Sequence, residues 1–209
     1  MKTNQVYVNN LGKGMSEALN EAERFSSYQK LSKKSSIRIR LLTEETLSMV
    51  RAIVGDFNAL FWIEGDMNEC KICLEAKTIM DPEKRSGLMS VSTSGQNTEA
   101  RGIMGKIMEM IETGREGKDA KKLSDRALHF IDYAQMGIDN ADSLPQGVFA
   151  WSLNHYKESV LSSKDNDNAA QEAWDELERS IVANLADDVR VGIRKDRVDM
   201  VIIKKLYTN

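Results

Sequence analysis

The stretch Leu41-Leu42-Thr43-Glu44-Glu45-Thr46-Leu47-Ser48-Met49-Val50-Arg51-Ala52-Ile53 decides how this chain is read. At about 100° per residue, Leu42, Thr46, Met49, Val50 and Ile53 fall on one side of a helix, and Phe57 continues the line. Glu44, Ser48 and Arg51 fall opposite. Glu45 sits on the border of the apolar stripe, where a carboxylate is costly unless it meets water, a partner or a ligand. The spacing predicts a helix over 41–57 that ends near Gly55 and lies against an apolar surface. If that surface is a sheet, Glu45 points to the rim of any pocket the two enclose. The plain alternative is a surface-rim glutamate, because charged side chains are mostly exposed.

Both flanks of this helix suggest a sheet. Ala59 to Glu64 and Cys70 to Ala76 read as strands, and Gly65-Asp66 with Asn68 supplies a turn, so a β-hairpin is expected. Before the helix, Val6 and Val8 flank Tyr7 in a short β-like start. Leu19, Ala22, Phe25 and Tyr28 then recur every three residues in a helix over 16–31, with Ser16 as its candidate cap. Lys33-Lys34-Ser35-Ser36 reads as a basic, serine-rich link. Asp81-Pro82 breaks the chain after the hairpin, and Ser86 to Thr98 is a small, polar loop. Helices are expected near 98–112, 119–138, 146–162 and 169–187, and Lys164 to Asn168 reads as a surface loop. The tail returns to β structure. Val189, Val191 and Ile193 alternate with Arg190, Gly192 and Arg194, Lys195-Asp196 turns, and Val198 to Leu206 is the partner strand.

Bulk composition narrows the class. At 209 residues, one domain or one domain with an insertion is expected, and a core of that size needs no disulfide or metal to stand. With 29% charged and 41% hydrophobic residues the chain is globular rather than disordered. A net charge of −3 gives no argument for nucleic acid or membrane partners. No apolar run reaches the roughly 18 residues that a membrane span needs, and Met1 to Asn10 lacks the pattern of a secretory signal. A cytoplasmic setting with reduced thiols is therefore expected. Two prolines and eleven methionines suit a helix-rich body with an adaptable core.

Several motifs have plainer readings. Cys70 and Cys73 have metal or redox spacing, but on a strand residues three apart face opposite ways, so the two thiols are expected to be small buried residues with no shared ion. Gly102-x-x-Gly105-Lys106 resembles the end of a P-loop, yet Ala100 and Ile107 stand where Gly and Ser or Thr are needed. His129 and His155 lack the context of a catalytic triad. Arg190, Arg194, Lys195, Arg197, Lys204 and Lys205 are interleaved with Asp187, Asp188, Asp196 and Asp199, with few aromatics to stack bases, so a solvated hairpin face is expected.

Leu41-Leu42 and Glu44-Glu45 resemble the first half of the N-box helix of the GHKL, or Bergerat-fold, ATPases, whose pattern is apolar-apolar-x-Glu-Glu-Leu-x-x-Asn-Ala. The order of elements is also similar: a helix before the N-box helix, a β-hairpin after it, a polar loop entering a glycine-containing helix, and a closing helix with two antiparallel strands. The ending Val201-Ile202-Ile203-Lys204-Lys205-Leu206 is most like that of the anti-sigma-factor kinases within the family. The resemblance covers roughly 1–112 and 170–209, and the remainder, about 113–168, reads as a helical insertion.

The resemblance implies an α/β (α+β) fold: a two-layer sandwich of a mixed, mostly antiparallel sheet of four or five strands, helices on one face, plus the insertion. It implies ATP or ADP as ligand, with Glu45 in the position of the activating Glu, and Glu45, Met49, Asp81, Gly102 and Gly105 lining the pocket. Met49 stands where the family's Mg²⁺-holding Asn belongs, and a thioether does not ligate so hard an ion. No glycine pair follows Asp81, as Asp-x-Gly-x-Gly would require. Phosphoryl transfer depends on positioned metal and charge. The expectation is a regulatory protein that binds nucleotide weakly or not at all and acts through a protein partner or as a homodimer. The alternative is an interaction protein with no nucleotide site, using residues such as Phe130, Tyr133, Met136, Phe149, Trp151 and Tyr156.

Overall fold

Apolar residues at alternate positions of a strand need a covering layer, and here helices on one face of a single sheet supply it. The computed structural model describes residues 1–54, 57–77, 149–163, 168–194 and 197–206. In chain order the elements are β1 (Val6–Asn9), α1 (Met15–Tyr28), α2 (Lys33–Val54), β2 (Asn58–Gly65), β3 (Glu69–Lys77), β4 (Phe149–Ser152), α3 (Leu153–Ser163), α4 (Asn168–Arg179), α5 (Ile181–Leu185), β5 (Asp188–Arg194) and β6 (Arg197–Lys205).

The six strands form one sheet in the order β1-β2-β3-β6-β5-β4, and each neighbouring pair is antiparallel. The α+β class expected from the sequence is therefore observed, with two differences. The sheet has one strand more than expected, and no described pair is parallel. The additional strand is β4, where a helix over 146–162 was expected. Its backbone pairs with β5 in the register Phe149↔Ile193 to Ser152↔Arg190. Within the stretch read as an insertion, β4 pairs in the sheet and a helix over 153–163 follows it, while 113–148 and 164–167 lie outside the described residues.

Register places Phe61, Leu74, Met200 and Val191 in one row across four strands, and Ile63, Ile72, Ile202 and Val189 in the next. All eight are at most 1% exposed, on the face that the helices cover. Burying each such side chain contributes roughly 1.5–3 kcal/mol. Gly65 allows the tight β2–β3 hairpin: its φ is 149°, and a Cβ there would sit 2.0 Å from the Glu69 carbonyl oxygen.

α1 buries Ala18, Ala22 and Phe25 at helical spacing. Its N-cap is Gly14, with φ 79° and no capping side chain, not Ser16. Glu21 is buried on the same stripe and is satisfied: the Asn4 backbone N–H and Nδ2 each donate to it at 3.3 Å, and Arg24 donates at 2.7 Å. α2 begins at Lys33, so the basic, serine-rich link is in fact its first turn. Ser32 Oγ accepts from the Ser35 N–H at 3.2 Å, which caps the helix there. Further along, Thr43 and Thr46 are fully buried, and their hydroxyls donate to the carbonyls of Ile39 at 2.9 Å and Leu42 at 2.6 Å. The helix expected over 169–187 is two helices. Ser180 divides them, accepting from the Ala183 N–H at 3.2 Å as the cap of α5.

Candidate functional site

α2 crosses the middle of the sheet, packing on β3 and β6. The terminal hairpin is paired to the first one through β3 and β6, with Cys73 opposite Val201.

The residues nominated for the pocket divide into two groups. Glu45 and Met49 lie one turn apart on α2. Glu45 is partly buried, whereas Met49 is only 6% exposed and belongs to the main apolar cluster with Leu42, Val50 and Phe57. A thioether in that setting is core packing. Asp81, Gly102 and Gly105 lie outside the described residues, as do His129 and the helices expected at 98–112 and 119–138.

Cys70 and Cys73 are both reduced and buried. Cys70 faces the helices in the core cluster, and Cys73 faces the other side of the sheet between Trp62 and Val201. Desolvation raises both thiols, and Cys73, also beside the Glu64 charge, is pushed to about 12. They cannot share an ion, and no cluster of His, Cys, Asp and Glu suited to a metal occurs among the described residues.

Two of the basic residues in the terminal hairpin are held by its aspartates. Arg190 pairs with Asp188 at 3.0 Å and Lys204 with Asp187 at 2.8 Å. With these four side chains only 9–27% exposed, the pairs are packed into the protein rather than solvated as expected.

Sequence reasoning missed one feature. A concavity of about 420 Å³ opens where the α1–α2 link, the first turns of α2, the β2–β3 turn and the end of β6 meet. Among the described residues its lining includes Lys30, Lys34, Arg38, Lys204 and Lys205 with Ser32 and Ser35, and Asp187 holds the Lys204 ammonium at 2.8 Å and the Lys205 N–H at 2.7 Å. The signal was present in two pieces, the basic link and the Lys204-Lys205 pair, but they lie near opposite ends of the chain.

No family model, curated protein or solved structure matches this chain. Among the described residues no helix is long and apolar enough to cross a membrane.

Proposed function

We propose that this chain is a regulatory protein built on a histidine-kinase-like ATP-binding domain, of the bacterial anti-sigma-factor kind, whose metal-dependent chemistry has lapsed. It binds ATP or ADP weakly or not at all, works in the cytoplasm, and acts through a protein partner or a second copy of itself. The observation that carries the reading is the position of α2: the acidic Glu44-Glu45 helix lies on a sheet in which the closing hairpin pairs with the strands around Cys73. The loss of metal chemistry is supported by Met49, which occupies the Mg²⁺-ligand position and is buried among aliphatic side chains.

A second reading, an interaction protein without a nucleotide site, is favoured by the face of the sheet opposite the helices. Tyr7 is 47% and Leu60 36% exposed there, and none of the described helices belongs to that layer. Thermal melting with ADP or ATP, with and without Mg²⁺, separates the two. A nucleotide present at a hundred times its dissociation constant stabilises by about 2.7 kcal/mol. A shift at millimolar nucleotide that is indifferent to Mg²⁺ fits the first reading, and no shift at all leaves the second.

A further inference from the structure

We propose that the basic concavity at the start of α2 is a binding site for a small organic phosphate carrying two or more phosphate charges, separate from any nucleotide pocket at Glu45. Three independent segments contribute basic residues to the lining: Lys30 from the α1–α2 link, Lys34 and Arg38 from α2, and Lys204 and Lys205 from β6, whose side chains leave the strand on opposite faces. Of these, Lys204 has a carboxylate partner, Asp187 at 2.8 Å. Lys30, Lys34, Arg38 and Lys205 have no ion pair with any described carboxylate. Lys34 and Arg38 are one helical turn apart, a spacing at which like charges repel. Such a cluster opposes folding unless an anion neutralises it.

The hollow also offers directional donors. The hydroxyls of Ser32 and Ser35 lie between the cations. The first-turn N–H of Lys34 has no intrahelical acceptor, and it lies at the positive end of a 22-residue helix. The size, about 420 Å³, is that of a small-molecule site. Leu31, Met67 and Leu206 add apolar wall for the organic part of such a ligand. Among the described residues no Trp, Tyr or Phe lines the hollow on which a base could stack.

The test is calorimetric titration of the full chain with inorganic pyrophosphate, in buffer of fixed ionic strength. The variants are Arg38→Glu, Lys34→Glu and, as a control at the far end of α1, Lys13→Glu. Pyrophosphate is expected to bind more tightly than inorganic phosphate. Arg38→Glu and Lys34→Glu should each weaken it by at least about tenfold, the loss of one charge-assisted contact, with Lys13→Glu unchanged. Because both substitutions relieve repulsion, their melting temperatures should not fall, so lost binding cannot be put down to unfolding. Absence of pyrophosphate binding at millimolar concentration would overturn the proposal, as would equal weakening by all three variants. Binding of an oligonucleotide that strengthens with its length would also overturn it, in favour of a nucleic-acid surface. None of these outcomes depends on Mg²⁺ or on Glu45, so the site stands or falls apart from the nucleotide-domain reading.

Discussion

The carboxylate of Asp188 at the start of β5 accepts the hydroxyl of Ser152 at the end of β4, at 3.0 Å, with both residues buried. The same oxygen accepts the Asn154 N–H at 3.2 Å, so a strand caps the first turn of α3 from outside the helix. The second oxygen holds Arg190 at 3.0 Å. This one side chain fixes the point where β4 stops and α3 begins.

Asp188→Ala leaves the Ser152 hydroxyl and the Asn154 N–H unsatisfied, and a lost bond to a charged group costs about 1.5–3 kcal/mol. A loss of that size is expected in urea unfolding. Ser152→Ala removes one partner and keeps the cap, so it should cost about 1 kcal/mol. Equal effects of the two substitutions would show that the cap carries nothing.

The two thiols should be silent in the folded protein. Burial raises Cys70 and Cys73 from an ordinary value of 9.0, so the unfolded chain gives up these protons first as pH rises. The folded state then holds more protons, and stability must fall with increasing pH above about 9. Denaturant titrations from neutral to alkaline pH should show this decline, and it should shrink in Cys70→Ala and Cys73→Ala. Fast labelling of the native protein by a thiol reagent would contradict the burial described here.

Lys30 closes the C-terminus of α1 with φ 52°, the left-handed region. The Leu31 N–H reaches back to the Ser26 carbonyl at 3.0 Å, a turn in which glycine is the usual residue. For an L side chain this conformation costs roughly 1–2 kcal/mol. Lys30→Gly is therefore expected to raise stability by about 1 kcal/mol after the entropy of glycine is set against it. The same substitution removes one cation from the basic concavity, so pyrophosphate affinity should fall while the melting temperature rises.

If α2 is a lapsed N-box helix, as proposed, an asparagine at position 49 should not bring back metal chemistry. Met49 is 6% exposed in the core cluster that also holds Leu42, Val50 and Phe57, and an amide placed there loses apolar contact. Met49→Asn is expected to destabilise by about 2–4 kcal/mol. Adding Mg²⁺ should not recover the loss. Recovery by Mg²⁺ and nucleotide would show that the position still faces a metal site.

Local pattern revealed the elements that have one buried face and a strong turn. The β2–β3 hairpin was legible because Ala59, Phe61 and Ile63 alternate with exposed residues and Gly65-Asp66 turns the chain. The start of α2 was not, because Lys33 and Lys34 bury nothing and leave no apolar period to read. β4 was hidden for a different reason: four residues are too few to show a period of two, and α3 follows without a break. Ser180 was passed over inside an otherwise continuous helical pattern. At the candidate site, Glu45 and Met49 were found because they share one helix. The basic concavity was not, since only the pairing of β6 with β3 brings Lys204 and Lys205 beside the first turns of α2.

In the proposed reading, α2 takes the place of a nucleotide-domain helix without holding a metal. Calorimetric titration with ATP, run with Mg²⁺ and with a chelator in its place, and with release of the terminal phosphate followed alongside, tests this most directly. The same weak or absent binding is expected in both titrations, with no phosphate released above background. Affinity that rises when Mg²⁺ is present, accompanied by turnover, would contradict it.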